Sequence, residues 1–419
     1  MSRTDSKKIN IEEDSHKTLN TDVLIIGAGP AGSTAAGVLA GRGLDVILID
    51  KCNFPREKVC GGGIVTDTIK ALSYLGLVDR VFKSALLINR IQIFSPNDSN
   101  ISIEGKFASI SRLVFDEILR SHAIESGCKF LSPFILEDAL IGEGRISGAT
   151  FRRGGENKQV SIKATYTLLA TGANLKPLQI FQVCERKHPS AVASRACYRV
   201  NPTLATKYKD FYVSYNRDNC PGYGWVFPGP EFSFNIGVGY FFDTKKKPKI
   251  TNLKRLWTQF VENFPIAREI VDQAVEILPL TGASLRTGLS GSLINKAGLL
   301  VLGDAAGLTY PFSGEGIGKA MESGIIAAEI LEKYFLKASI PYAEIDTLYK
   351  ATVYDRFYFR YKAYKRAQKI LSVPFLTNFL FWRANNGNHV MKKLKNLIEE
   401  TDDPRRIFSF SEFIKSLIS

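Results

Sequence analysis

Gly27-Ala28-Gly29-Pro30-Ala31-Gly32 sets three glycines in the G-x-G-x-x-G spacing. Those residue types at that spacing suit one task. The first glycine permits a tight turn, the second lets the backbone approach a pyrophosphate, and the third lets a helix pack on the strand before it. The start of that helix, at Pro30 and Ala31, offers unpaired N–H groups and a partial positive charge to phosphate. Asp50, followed by Lys51, comes about twenty residues later, where a carboxylate bonds ribose hydroxyls. The chemistry is dinucleotide binding, and the turn alone serves NAD or FAD equally.

Other residues with chemical potential stand further along. Cys60 is followed by Gly61, Gly62 and Gly63. Tyr223, Trp225 and Phe227 alternate and end at Pro228. An apolar run, Leu299–Leu302, ends in Gly303-Asp304. Pro311-Phe312-Ser313-Gly314-Glu315-Gly316 then opens a helix at about Ile317.

The elements that must position these groups are legible from periodicity. Val23–Ile26 and Val46–Ile49 are short apolar runs suited to buried parallel strands, with a small-residue helix Ala31–Arg42 between them. Asp67–Leu75, Val114–Glu125 and about Gly316 to Phe335 read as helices. Ile88–Phe94, Ile101–Ile103 and the hairpin from Phe151 to Leu169 read as strands. Ser190–Gly239 is rich in β-branched and aromatic residues. The fold class is therefore α/β with an α+β substrate domain. A Rossmann-like dinucleotide domain is assembled from 21–80, 108–175 and 280–335. A β-rich substrate domain comprises 81–107 and 176–279. Residues 1–20 read as a disordered tail and 336–419 as a helical C-terminal region.

The 419 residues are 45% hydrophobic, which excludes wholesale disorder. The formal net charge of +14 favours anionic partners. The cations cluster at Lys245, Lys246, Lys247 and Lys249, and from Lys350 to Lys395 among aromatic residues. That pattern points to an anionic membrane surface, and no nucleic-acid motif is present. Six cysteines without paired or zinc-type spacing indicate free thiols in a reducing compartment and no metal site. No apolar run is long enough to span a bilayer. The expectation is a cytoplasmic monomer or dimer, peripheral on the inner face of a membrane.

The pairing of the glycine turn with the distant Gly303-Asp304 resembles the FAD-dependent oxidoreductases with the para-hydroxybenzoate hydroxylase type of fold. The resemblance implies FAD as cofactor, Asp304 on the ribityl chain, and the Gly314–Gly316 turn with Glu315 and Ile317 facing the flavin ring. Arg112 matches that family's arginine beside the FAD, and Ala170-Thr171-Gly172-Ala173 its strand-end turn. Phe54-Pro55-Arg56-Glu57-Lys58-Val59-Cys60-Gly61-Gly62-Gly63 and Tyr223-Gly224-Trp225-Val226-Phe227-Pro228 further resemble the geranylgeranyl reductase family. That family hydrogenates carbon–carbon double bonds in isoprenoid chains. The resemblance places Cys60 and Gly61 beside the flavin. It implies an isoprenoid lipid substrate held by Gly62, Tyr223, Trp225, Phe227, Pro228 and Pro311.

An isolated alkene has no carbonyl to accept charge, so hydride transfer from flavin N5 needs a proton source and a dry site. Cys60, Tyr223 and an ordered water are the candidates. There is no second G-x-G-x-x-G, so NAD(P)H or another donor must act as a transient reductant. Three alternatives carry specific marks. Flavin hydroxylases have other residues where this chain has Gly307, Gly318 and Ser323. Flavin halogenases have Trp and Ile where it has Tyr223 and Phe227. A non-catalytic prenyl escort would lose the flavin-binding motifs, which are intact.

Overall fold

A computed structural model describes residues 16–156, 158–216, 221–242, 252–311, 313–387, 391–393 and 395–396. The lysine cluster 245–249, Cys220, Phe312, and the tail ends 1–15 and 397–419 lie outside the described residues.

The first sheet runs Asn295–Lys296, Leu299–Val301, Gln159–Leu169, His16–Ile26, Val46–Ile49, Lys129–Leu131, with the hairpin Phe134–Gly142/Arg145–Arg153 attached to Gln159–Leu169. Its centre is parallel, and Val23–Ile26, Val46–Ile49 and Leu299–Val301 are buried. Continuous apolar runs are what a sheet covered on both faces requires. Residues 16–20, expected in a tail, instead open the first strand and pair in register with Gln159–Lys163. Thr18 and Asn20 are polar because this end lies exposed, so hydropathy gave no strand signal there.

The second sheet runs Val275–Leu285, Ala191–Arg199, Ser233–Phe241, Gly222–Gly229, Phe211–Ser214, Leu86–Phe94, Asn100–Ser109, Gly63–Ile64. The Tyr223 strand is thus central, flanked by Ser233–Phe241 and Phe211–Ser214. Its sides alternate. On one, Gly224 faces Phe260 of the helix Leu253–Asn263, and a Cβ at Gly224 would stand 2.2 Å from that ring. On the other stand Tyr223, Trp225 and Phe227. Gly63–Ile64 joins this sheet directly after Cys60, which pins the cysteine loop to the edge of the aromatic side.

The helix Pro30–Gly41 packs between Ile317–Phe335 and Arg112–Glu125. Gly324 permits the first contact, since a Cβ there would meet the Ala31 carbonyl oxygen at 2.5 Å. The C-terminal helices are part of the main core. Ile345, Tyr349, Val353, Phe357, Tyr361 and Tyr364 are buried in it, and the Tyr349 hydroxyl donates to the Val301 carbonyl at 2.8 Å.

Candidate active site

The phosphate turn separates two kinds of glycine. A Cβ at Gly27 would lie 2.4 Å from the Ala170 oxygen, and one at Gly32 1.9 Å from the Gly27 oxygen. Both are demanded by the protein's own backbone. At Gly29 the nearest atom to a Cβ is Arg56 Nη2, 3.8 Å away, so the protein itself leaves that space open. The helix behind it starts at Gly29 without a side-chain cap, as does Ile317–Phe335 at Gly316. The helices starting at Arg112, Pro202 and Leu253 are capped by Ser111, Asn201 and Asn252. The uncapped N–H groups at Gly29 and Gly316 are free to meet an anionic ligand. The Asp50 carboxylate accepts from Ala28 N–H at 2.8 Å and Cys52 N–H at 2.9 Å, which sets its position at the strand end. Lys51 is exposed. Gly172, at φ +67, has nothing within 4 Å of a built Cβ. The cradle fits a dinucleotide.

Beside it lies a charge cluster in which the expected Arg112 and Cys60 are joined by Asp116, Arg56 and Lys58, three residues not expected at the site. Fully buried Asp116 takes two bonds from Arg112 (Nε 2.6 Å, Nη2 2.8 Å) and an ion pair from Arg56 at 3.2 Å. Burial alone would push the Arg112 pKa down. Asp116 and the Cys60 side chain, both hydrogen-bonding partners, more than offset that, and the net shift is upward. Arg112 is therefore a fixed cation linking the buried helix face to Cys60. Lys58 projects into the same cleft. Its side chain reaches solvent, yet enough protein surrounds it for desolvation to lower its pKa, with Arg112 adding to the effect and Asp304 and Cys60 opposing it. Arg56 and Lys58 belong to the run that carries Cys60, so basic residues in a loop next to a dinucleotide turn were the available signal.

Asp304 sits in a single 3-10 turn, Gly303–Ala306, that follows the buried strand. Gly303 has φ +57, and its N–H donates to Ser323 Oγ at 3.0 Å. Thr309 donates its hydroxyl to Asp304. Burial raises the Asp304 pKa, and Thr309, Lys58, Arg112 and Arg286 pull it back. Gly316 adjoins this pair, with a Cβ position 2.7 Å from Thr309 Oγ1. Ile317 turns its side chain into the core with Ile64, Phe115 and Met321, leaving its backbone at the helix start. Pro311 is buried beside Gly288.

The aromatic side closes the arrangement. Tyr223–Trp225 and Trp225–Phe227 ring centroids are 6.1 and 6.3 Å apart, and Phe227 contacts Phe211 at 4.3 Å. Gly237 makes room for Trp225, since a Cβ would stand 2.2 Å from its ring. Gly61 lies against Phe227 and Trp225, at 3.2 and 3.4 Å from a built Cβ. Gly62, at φ +75, would drive a Cβ to 2.5 Å from the Ile110 oxygen. Asn235 ties the two together: it accepts from Trp225 Nε1 at 3.0 Å and donates to the Cys60 carbonyl at 2.8 Å. Arg195, from the neighbouring strand, pairs with Glu57 of the same loop at 3.0 Å. Asn235 and Arg195 escaped the sequence reading because a polar residue in a strand shows no partner until the sheet is assembled.

Tyr223 donates its hydroxyl to the Ser313 carbonyl, beside Gly314. Burial, with Tyr215, Glu315 and Cys60 adding to it, raises its pKa well above the ordinary value. Pro228 stands off the aromatic side. It lines a separate groove of about 250 Å³ with Leu87, Phe232 and Phe234. That groove is larger than the crevice at Tyr223 but is not lined by Cys60, Arg112 or Asp304, which makes it the poorer candidate for chemistry. The site thus gathers Asp304, Arg112 and Cys60 around Lys58, with Gly29 next to Arg56, and sets Gly61 and Gly314 against the three aromatic rings. No cluster of metal ligands occurs among the described residues.

The family model of the FAD binding domain matches residues 20–336. Digeranylgeranylglycerophospholipid reductase 1 of Methanopyrus kandleri is 30% identical over 317 residues, 74% of this chain and 80% of its own. A menaquinone reductase of Mycobacterium tuberculosis is 29% identical over 416 residues, 92% of this chain and 93% of its own. Among solved structures, a geranylgeranyl bacteriochlorophyll reductase-like protein from Thermoplasma acidophilum superposes with a TM-score of 0.74 at 22% identity, covering 96% of both chains. A flavin-dependent brominase reaches the same TM-score at 19% identity, covering 96% of this chain and all of its own, so the fold alone does not choose between these chemistries.

Proposed function

The chain belongs to the geranylgeranyl reductase family of FAD-dependent oxidoreductases, and from that premise we propose that it hydrogenates carbon–carbon double bonds in the isoprenoid chain of a lipid. The observation that carries the reading is the aromatic wall of Tyr223, Trp225 and Phe227 laid against Cys60–Gly61, with Arg112 behind the cysteine. A greasy substrate without polar handles needs an apolar wall of this kind, and water must be excluded where charge would otherwise develop.

In this reading Gly27, Gly29, Pro30, Ala31 and Gly32 cradle the pyrophosphate, and Asp50 with Lys51 meets the ribose. Gly303 and Asp304 would hold the ribityl chain. Gly172, Gly314, Glu315, Gly316, the backbone of Ile317, Arg112 and Gly61 would border the ring system. Bound FAD supplies the hydride. The protein's own work is to orient the alkene against the aromatic wall and to provide a proton. Cys60 is the favoured source, held in place through its carbonyl by Asn235 and beside the Arg112 cation. Tyr223 is the weaker one, because its proton is committed to the Ser313 carbonyl. Gly62 and Pro311 shape the surrounding loops, and Pro228 faces away from the wall. The reductant is NAD(P)H or another transient donor. The relatives' names point to prenyl phospholipids and menaquinone as substrate classes, and a basic surface suits an anionic membrane where such lipids reside.

The test is anaerobic. The flavin is reduced chemically, oxygen is excluded, and a geranylgeranyl lipid is added in detergent while flavin absorbance is followed. Reoxidation with a mass gain of one H2 per bond is expected. Reduced flavin that ignores every prenyl lipid, yet turns over with oxygen to hydroxylate or halogenate a substrate, would overturn the proposal.

A further inference from the structure

We propose that the elbow joining the helices Phe359–Leu371 and Pro374–Asn386 is a docking surface for an anionic lipid bilayer, placed beside the entrance to the substrate site. It rests on the prenyl-lipid reading only for what is delivered there.

The helix Pro374–Asn386 has apolar residues on two sides. Thr377, Phe381 and Ala384 are buried, Phe381 against Ile101. Phe375, Phe379 and Trp382 recur at i, i+4 and i+7, which stacks them in a separate stripe. Phe375 is 77% exposed, Trp382 55% and the preceding Val373 44%. The Phe379 and Trp382 rings touch at 5.9 Å. One exposed aromatic residue needs no explanation, but a stripe of them does.

Charge identifies the occupant. Residues 356–398 contain ten Lys or Arg and no Asp or Glu. Lys362, Arg366 and Lys369 are exposed on the preceding helix, and the Arg383 guanidinium lies over the Trp382 ring at 5.8 Å. Aromatic residues flanked by cations, without acids, match the interfacial zone of an anionic bilayer. A second copy of the same cationic surface would be repelled. No helix among the described residues is long and apolar enough to cross a membrane, so contact would lie at the interface.

The elbow that carries the stripe adjoins Tyr223. Gln368, Leu371 and Ser372 form one wall of a crevice whose other wall is Tyr215, Tyr223 and Phe241. Val373 is the next residue. A prenyl chain drawn from the bilayer at this elbow would start next to Tyr223, the first ring of the aromatic wall.

The experiment uses the FAD-loaded full chain and co-sedimentation with phosphatidylcholine vesicles, with and without phosphatidylglycerol. Wild type should bind the anionic vesicles about tenfold tighter or more, with binding weakened by salt. The double variant Phe375→Ser/Trp382→Ser should lose about tenfold or more of that binding. The control Phe232→Ser, at an exposed aromatic elsewhere, should not. Reduction of a vesicle-borne prenyl lipid should fall with binding, while turnover of a short, soluble prenyl alcohol stays unchanged. Wild-type binding indifferent to phosphatidylglycerol, a double variant that binds like wild type, or a change in oligomeric state in place of vesicle binding would overturn the surface. Normal vesicle binding with no reduction of any prenyl substrate would instead overturn the functional reading and leave the surface standing.

Discussion

Replacing Gly29 by Ala separates what the protein requires from what its ligand requires. Gly29 has φ −75, which any residue adopts, and its built Cβ meets nothing nearer than 3.8 Å. At a helix N-cap, Ala is worse than Gly by up to about 1 kcal/mol. The stiffer unfolded chain returns about 0.4–1 kcal/mol. The apo-protein should therefore unfold within a few degrees of wild type. The added methyl would instead occupy the space proposed for the pyrophosphate's approach to the backbone. Overpacking of that kind costs about 1–3 kcal/mol. At 1.36 kcal/mol per decade, FAD affinity should fall by about five- to 150-fold. Gly32→Ala should do the reverse. Its Cβ would collide with the Gly27 oxygen at 1.9 Å, so the apo-fold itself should lose about 3 kcal/mol or more. Fluorescence titration of apo-protein with FAD, beside thermal unfolding without it, reads both quantities. Gly29→Ala with wild-type FAD affinity, or with a collapsed apo-fold, would refute the reasoning.

Three further expectations follow from the site. Cys60→Ala should slow anaerobic flavin reoxidation by prenyl substrate about 100-fold or more with FAD retained, whereas Tyr223→Phe should stay within about tenfold, and the opposite ranking would make Tyr223 the proton donor. Lys58 has a folded-state pKa below its ordinary 10.5, so the unfolded chain binds more protons and apo-stability should rise with pH between the two values. A nearby anionic ligand would restore the charge, so FAD affinity should weaken as pH rises through the lowered pKa. Lys58→Met should flatten that dependence in a titration series, and a persisting slope would assign it elsewhere. Asn235→Leu leaves the Trp225 N–H and Cys60 carbonyl unpaired and should cost about 1–3 kcal/mol in thermal unfolding, an unchanged midpoint arguing against the tie.

Local signals were enough for the parts of this protein that are made of consecutive residues. The glycine turn, the acid at the end of the next strand and the Gly303-Asp304 step were legible because each is a short segment with its own backbone requirement. The alternation of Tyr223, Trp225 and Phe227 likewise places them on one side of any strand. Tertiary structure decided what depends on partners distant in the chain. Asp116 becomes the counter-ion of Arg56 only when the helix Arg112–Glu125 docks beside the loop that precedes Cys60. Asn235 acquires meaning only when its strand lies between Trp225 and Cys60. Residues 16–20 look like a tail until Gln159–Leu169 supplies a ladder, and backbone hydrogen bonds carry no side-chain signature. Pro228 illustrates the limit from the other direction. It continues the aromatic motif, yet the period of two turns it away from the wall that the motif builds.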